Sequence, residues 1–570
     1  MTIAEERQDQ PTAPASCLIA ECGSSTTTVA LFDVAAGSYR LIARAVAPTT
    51  AVAPWHNIAE GVYQAIQQIE EITGRTLLTA QRKLISPARQ SGVGVDQFFA
   101  VASAAPPLAT ALVGLFDDIS LTSARRALGS ANAQETSCLS LDNEQDEEIY
   151  LTTLLATEPD LVFIVGGTDG GATERLLYLV EKVGLAVAPL AERKRVHVLF
   201  AGNKQIREQV GAIMKNRAEL HVAENVRPDL ATTRLADAVR EINNLYSDFK
   251  IGGLPGIRVL NDWSQQPALP TVQAFATLIR YVAALQKGRV LGVDLGSSSV
   301  SLIMADTHRA QIYRRNDLGM GRMVGNLLDE VEPAAIARWL PYTLSDAAIR
   351  DFVLHKSLYP ETIPATDEEV YLEQAIAREI IRRVAPRPLP PFDMLLMRGQ
   401  TLTQAPRPGQ AILLLLDALE PEGIFSVALD KYGVLPALGA LASSQPLAVV
   451  QAMEAGILSD LGWVIAPTGK GQAGQSVIKG VLESPEGRFD LDVEYGRIDT
   501  TTLSVGLTAE VSLTPDKRID LGFGPGKGKK LAMHGGAVGL IVDARGRPLS
   551  PPDPEKREEQ IRKWYWDVGG

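Results

Sequence analysis

Glu21 and Asp294 are the two carboxylates whose neighbours could make them do chemistry. Glu21 lies in Cys17-Leu-Ile-Ala-Glu-Cys-Gly-Ser-Ser-Thr-Thr-Thr-Val-Ala-Leu-Phe-Asp33, and Asp294 in Val290-Leu-Gly-Val-Asp-Leu-Gly-Ser-Ser-Ser-Val-Ser-Leu-Ile-Met-Ala-Asp306. Each closes an apolar run and is separated by one residue from a glycine, Gly23 or Gly296. Small hydroxyl residues follow, Ser24, Ser25 and Thr26 in one segment and Ser297, Ser298 and Ser299 in the other, and then a second apolar run. The pattern predicts strand, tight turn, strand. Turn N–H groups and hydroxyls could donate to phosphate oxygens. The carboxylates could hold Mg²⁺ directly or through water, and Asp294 could orient an attacking water or hydroxyl. One such segment is also how an ordinary hydroxyl-rich hairpin reads. Two, in two halves of one chain, predict a pair of loops opposed across a nucleotide cleft.

Further candidates are weaker. Leu161-Val-Phe-Ile-Val165 is a short apolar run of the kind buried in parallel sheets, and it ends in Gly166-Gly167-Thr168-Asp169-Gly170-Gly171. This is either a second ligand loop with Asp169 as its polar contact or a tight strand-to-helix turn. Asn203 and Lys204 follow a comparable run, Val196–Phe200. Gly522–Lys530 and Gly469-Lys470 lack the spacing and the Ser/Thr of a Walker loop, and an exposed turn accounts for the basic glycine-rich stretch. The six histidines form no HxxxH or HExxH pair. Cys17, Cys22 and Cys138 match neither a zinc site nor a disulfide framework, so free thiols and a reducing, cytoplasmic setting are expected.

The elements that must position these residues fall into several regions. A strand over Leu41–Ala47 extends the first hairpin. An amphipathic helix opened by Pro54 carries Ile58, Val62, Ile66, Ile69 and Ile72 on one face and stops at Gly74. Leu84–Val95 and Gln97–Ala102 read as strands, and the acidic stretch Asp142–Glu148 reads as a solvated helix start. Strand, glycine loop, helix and strand from about 150 onward is βαβ grammar, in which ligands gather at the carboxyl ends of strands. Asp317–Met323 and a long helical region follow the second loop, then Met394–Met397, the Arg398-Gly-Gln-Thr loop and an apolar helix with Leu413, Leu416 and Leu419. From about 470, alternating stretches (Ser476–Leu482, Arg488–Val493, Thr501–Val505, Glu510–Leu513, Val538–Val542) predict a separate all-β module, sandwich or barrel.

Bulk properties agree. A chain of 570 residues exceeds one core, and 46% hydrophobic residues mark a packed globular protein. The net charge of −12 argues against nucleic acid as the main partner. The longest apolar run, Ala411–Leu419, is interrupted by Asp417, so no membrane span is expected.

The two loops resemble the phosphate motifs of the superfamily of actin, sugar kinases and heat-shock chaperone ATPases. Within it the chain is more similar to the glutamate mutase accessory protein L family (MutL or GlmL, unrelated to mismatch repair). The carriers run in order over nearly the whole chain. They are Glu21–Thr28, Val165–Gly171, Phe200–Asn203, Val222–Val226, Asp294–Val300, Asp317–Gly321, Ala405–Gln410, Leu435–Ala440 and Gly536–Pro548. The resemblance implies an α/β, two-lobed actin-like ATPase fold of duplicated ribonuclease H-like halves. The expected division is a disordered tail (1–16), a first half with insertions (17–288), a second half (289–468), a β module (469–550) and a charged helical tail (551–570). It also implies ATP and Mg²⁺ as cofactors, with Glu21 and Asp294 as catalytic and metal residues. Gly23, Ser24, Ser25, Thr26, Gly166, Gly167, Thr168, Asp169, Gly296, Ser297, Ser298, Ser299, Arg398 and Gly399 are the implied nucleotide contacts. The implied role is a chaperone or reactivating factor for an adenosylcobalamin-dependent mutase, with weak ATP hydrolysis. Two other readings stay open: a small-molecule kinase of the same superfamily, and a non-catalytic assembly factor.

This sequence departs from the family pattern in three places. Ser297 replaces a glycine and Ser301 an acid in the second loop, and Arg398-Gly399-Gln400 stands where a paired glycine is usual. A side chain in such a nest restricts backbone approach. Arg398 would then stack on a base or reach phosphate, or else mark a weakened nucleotide site.

Overall fold

A computed structural model describes residues 16–89, 92–141, 152–154, 156–191, 194, 196–264, 266–550 and 555–569. Residues 1–15 of the expected tail (1–16) and the acidic stretch at 142–148 lie outside the described residues; Ser16, the tail's last residue, is buried and donates to Asp96.

The first half opens with β1 (Cys17–Cys22), β2 (Thr26–Ala35) and β3 (Ser38–Pro48), an antiparallel meander. β4 (Gln97–Ala102) joins β1 in parallel. An amphipathic helix, Ile58–Thr73, packs on this sheet through Ile58, Val62, Ile66 and Ile69. It starts where the Asn57 side chain accepts from Ala59 N–H, and it ends at Gly74 in the left-handed region. Ile72, expected on the apolar face, is exposed. Leu84–Val95, read as a strand, forms only isolated bridges, Thr76 to Val93 and Leu78 to Leu84.

Between β4 and its next sheet partner the chain inserts a second sheet of five parallel strands. These are β5 (Leu108–Gly114), β6 (Ala133–Ser140), β7 (Leu161–Ile164), β8 (His197–Phe200) and β9 (Glu219–Val222), in spatial order β6-β5-β7-β8-β9. The chain then returns to the first sheet as the two-residue β10 (Leu269–Pro270), parallel to β4.

The second half repeats the plan. β11 (Val290–Leu295), β12 (Val300–Ala305) and β13 (Ala310–Arg315) form an antiparallel meander, and β14 (Met394–Arg398) and β15 (Gly423–Leu429) continue in parallel beyond β11. Strand order is thus third, second, first, fourth, fifth in both halves, with the same directions: the duplicated ribonuclease H-like arrangement. The halves meet over a shared apolar layer containing Ile19 and Phe32 from one side, Leu396 and Leu438 from the other, and Phe275 and Ile279 between them. Helices Thr271–Gln286 and Leu435–Leu441 come so close that a Cβ at Gly439 would lie 1.8 Å from the Ala274 carbonyl oxygen.

The sheet of the second half is longer than expected. β16 (Ser459–Ala466) extends it, and then Gly539–Asp543 and Ile498–Thr501, both from the stretch read as a β module, complete eight strands. The antiparallel sheet of Gly487–Glu494, Ser476–Ser484, Thr508–Pro515 and Lys529–His534 stands apart from it, as does the short pairing of Thr468–Gly469 with Ile519–Asp520. Pairing shifts one expected strand from Thr501–Val505 to Ile498–Thr501, because those residues find Gly539–Asp543 as partner. The terminal helix Arg557–Asp567 forms as read, yet it is no solvated tail: Ile561, Trp564, Tyr565 and Val568 join the core of the second half. No helix among the described residues is long and apolar enough to cross a membrane.

Candidate functional site

The β1–β2 and β11–β12 turns are built alike. Gly23 N–H donates to the Thr26 carbonyl at 2.9 Å, and Gly296 N–H donates to the Ser299 carbonyl at 3.0 Å. Glu21 faces Thr28 across its hairpin as Asp294 faces Ser301. The turns meet across a cavity of about 370 Å³ lined by both, and Ser25 Oγ and Ser297 Oγ share a hydrogen bond of 2.7 Å. The serine standing where the family has a glycine therefore bridges the two halves.

The Asp317–Met323 segment braces the second turn. Met320 N–H donates to the Gly296 carbonyl at 2.8 Å, Gly321 N–H to the Ser297 carbonyl at 2.9 Å, and Arg322 N–H to Ser297 Oγ at 3.3 Å. On the far side of the turn, Gly399 has φ +119°, and a Cβ there would lie 2.3 Å from the Leu295 carbonyl oxygen. Only glycine fits this close approach.

Arg398 sits at the centre. Its Nη2 donates to Glu21 Oε1 at 2.8 Å and its Nη1 to Asp294 Oδ2 at 3.4 Å, and Nε lies 3.9 Å from Asp430 Oδ2. Asp430 is fully buried and accepts from the N–H groups of Val434 and Leu435 at 3.0 and 2.9 Å. Burial pushes the Glu21 and Asp430 carboxyls above their ordinary range, with Arg398 opposing the rise in both. Burial also works against charge on Arg398, but Asp294, Glu21 and Asp430 outweigh it and hold the guanidinium protonated. Glu21 Oε2 and Arg398 Nε are buried without a hydrogen-bond partner. Such a cluster is satisfied only in part, and the cost of that falls on the site.

Three residues not singled out from sequence also line the cavity. Arg314 donates to Ser299 Oγ at 3.1 Å and to Asn132, tying the second turn to the inserted region. Lys356 pairs with Glu373 at 3.0 Å, and Glu373 accepts from Thr401 Oγ1 at 2.7 Å. No local motif marks them. They arrive from elements that only packing brings to the cleft.

Of the sequence-predicted contacts, Glu21, Gly23, Ser24, Ser25, Thr26, Asp294, Gly296, Ser297, Ser298, Ser299, Arg398 and Gly399 line one cavity. Gly166, Gly167, Thr168 and Asp169 do not. They follow β7 in the inserted sheet, where Asn225 Nδ2 donates to the Gly167 carbonyl at 2.9 Å and to Asp169 Oδ1 at 3.0 Å, and Lys204 N–H donates to Asp169 at 3.3 Å. Asn203, fully buried, accepts from Gly170 N–H. The loop is locked by its neighbours as a strand-to-helix turn would be.

Two duplicated halves with hydroxyl-rich turns opposed across a cleft define the actin-like ATPase fold. The chain belongs to the MutL protein family, whose model matches residues 17–457; this is the glutamate mutase accessory family, distinct from mismatch repair. No curated protein matches the sequence. Among solved structures, the chain is similar to a nucleotide-free acetone carboxylase (11% identity, 85% of this chain and 81% of that one, TM-score 0.34). It is also similar to a nucleotide-free diol dehydratase-reactivating factor (11%, 78% and 99%, 0.30). A third is component A of the (R)-2-hydroxyglutaryl-CoA dehydratase of Acidaminococcus fermentans (8%, 76% and 99%, 0.26). Identity and score are low in each case, so the fold assignment rests on strand order and register.

Proposed function

We propose that the protein is a nucleotide-dependent accessory factor, binding ATP with Mg²⁺ between its halves and servicing an adenosylcobalamin-dependent mutase in the cytoplasm. The observation that carries the nucleotide reading is the pair of matching turns held 2.7 Å apart, Ser25 Oγ to Ser297 Oγ, over one shared cavity. The partner reading rests on membership of the accessory family.

The donor set fits a triphosphate and its cation. Ser24, Ser25, Thr26, Ser297, Ser298 and Ser299 supply hydroxyls to opposite sides of the cavity. The charged lining is Glu21, Asp294, Glu361 and Glu373 against Arg314, Lys356 and Arg398, a balance that rejects a bare polyanion and accepts one carrying a divalent cation. Asp294, held by Arg398 only at 3.4 Å, is the carboxylate that would hold Mg²⁺ through water; one oxygen of Glu21 is already taken by Arg398 at 2.8 Å. The cation would neutralise phosphate charge. The chain's own work is orientation: Gly399 and the Asp317–Met323 segment hold the second turn, and the Ser25–Ser297 contact reports how near the halves lie. A ligand binding both turns favours the closed arrangement by its differential affinity.

Arg398 favours a second reading, a non-catalytic assembly factor, because its guanidinium stands between the two acids where a cation would be bound. A small-molecule kinase would need a dedicated base beside a substrate hydroxyl, a role for which no sequence motif singles out a residue. Calorimetric titration with ATP and Mg²⁺, repeated on Asp294→Ala, separates these. Binding lost in the variant, with slow hydrolysis stimulated by a mutase, is the expected result. No binding by the native protein leaves the assembly factor, and phosphorylation of a metabolite would establish the kinase.

A further inference from the structure

Sequence spacing excludes a histidine metal motif, but pairing of parallel strands creates one. β8 and β9 run side by side with His197 opposite Glu219 and Leu199 opposite His221. Because side chains alternate along a strand, His197, Glu219 and His221 share one face of the inserted sheet. His197 Nδ1 and His221 Nε2 face each other at 3.1 Å, and Glu219 Oε2 lies 3.9 Å from His197 Nδ1. One ligand atom from each residue falls within 4.8 Å of the others.

We propose that these three residues bind a first-row divalent transition metal, with Zn²⁺ the ion that fits. Two nitrogens bound tetrahedrally at 2.0–2.1 Å would lie roughly 3.3 Å apart, against 3.1 Å here. Two imidazoles and one carboxylate are the donors of zinc and its neighbours, whereas Mg²⁺ and Ca²⁺ prefer oxygen alone. The Phe249 ring, 3.9 Å from His197 between centroids, gives the buried ligand a fixed wall. Glu219 and His221 are only half-buried, which leaves an entry path and an open coordination position for water. The site lies at the amino-terminal ends of β8 and β9, the opposite rim from Gly166–Gly171 and Asn203, and remote in sequence from every cleft residue. A metal here would clamp β9, one of the two edge strands of the inserted sheet, to its neighbour β8. It needs neutral imidazoles, because only an unprotonated ring nitrogen has a lone pair to give the metal.

The test uses tag-free full-length protein stripped by a chelator and titrated with Zn²⁺ by calorimetry and with Co²⁺ by absorption. One equivalent is expected, with Co²⁺ d–d bands and no thiolate charge-transfer band, and Zn²⁺ should raise the melting temperature. His221→Gln should weaken binding at least tenfold and abolish that rise, while its metal-free circular dichroism matches the native protein. If His221→Gln does not fold, Glu219→Gln at the half-exposed position carries the same expectation. Failure of the native protein to take up Zn²⁺ at micromolar concentration would leave a plain histidine–histidine hydrogen bond and overturn the proposal. Unchanged affinity in the folded variants, or a thiolate band placing the metal on cysteine, would overturn it equally.

Discussion

Two buried clusters of arginines and carboxylates, one in the core of the second half and one between the two halves, are built differently. In the core, Arg545 holds Asp543 by two parallel bonds of 2.8 and 2.9 Å and reaches Asp417 at 2.8 Å. Arg378 takes the other Asp417 oxygen at 2.8 Å, leaving only its Nη1 without a partner, and Arg547 takes Asp543 at 2.8 Å. Trp564 of the terminal helix lies against Arg545. In the cleft, one guanidinium serves three carboxylates at 2.8, 3.4 and 3.9 Å and leaves buried atoms without partners on both Arg398 and Glu21. Burial would raise the Asp543 carboxyl, but Arg545 and Arg547 hold it well below its usual range. For Glu21 and Asp430 burial wins. Bidentate pairing in a dry interior fixes structure; a partly satisfied cluster beside a cavity is a place that a ligand can complete.

The sharpest way to break that contrast is Asp417→Ala, which strands Arg378 and Arg545 in the core. A loss of about 3–5 kcal/mol is expected by denaturant unfolding, and a change under 1 kcal/mol would show the core network to be no better satisfied than the cleft. Arg398→Met, by contrast, should cost only about 1–3 kcal/mol, because Glu21 can take up a proton and the cavity admits water. It should also strengthen Mg²⁺ binding at Asp294, read by calorimetry; weaker binding would mean that Arg398 itself holds the ligand.

The pH dependence of the two clusters should have opposite sign. Asp543 binds fewer protons folded than unfolded, so its contribution is present above the ordinary aspartate value, about 3.9, and is lost as pH falls through its depressed folded value. Glu21 binds more protons folded, so its contribution is full below the ordinary glutamate value, about 4.3, and is lost as pH rises through its raised folded value. Unfolding free energies measured across acid and neutral pH should therefore show Asp543→Asn flattening the acid limb and Glu21→Gln flattening the limb above it. Parallel profiles would remove the distinction.

Smaller effects sharpen the cleft itself. Gly399→Ala, placing a methyl against the Leu295 carbonyl at φ +119°, should cost about 1–3 kcal/mol and displace the second turn. Ser25→Ala removes one hydroxyl contact between halves and should cost about 0.5–1.5 kcal/mol, with a wider cleft by small-angle scattering. A scattering profile identical to the native protein's would mean that this contact does not hold the halves.

Much of the fold and part of the site were legible from residues alone. The two hairpin turns, the helix ending at Gly74, and β7, β8 and β14 follow from apolar spacing, turn residues and caps, which act over a few residues. The sequence pattern puts the start of that helix at Pro54, whereas the Asn57 cap sets it at Ile58. Local periodicity missed the fate of Thr501–Val505 and Val538–Val542, since an alternating stretch shows that a strand is half-buried and not which sheet it joins. Asp417 interrupts an apolar helix in sequence; only the arrival of Arg545 from the far end of the chain explains it.

The sequence by itself determined where the turns lie and that they are two of a kind; that position 399 admits only glycine came from the close approach of Leu295 in the folded protein. Only the tertiary structure decided that Arg398 would reach Glu21 across 377 residues, that Ser25 would meet Ser297, and that His197 would face His221. The physical reason is range. Backbone hydrogen bonding and side-chain period are set by neighbours in the chain, whereas the partner of a buried charge is set by sheet order and register, which no short segment contains.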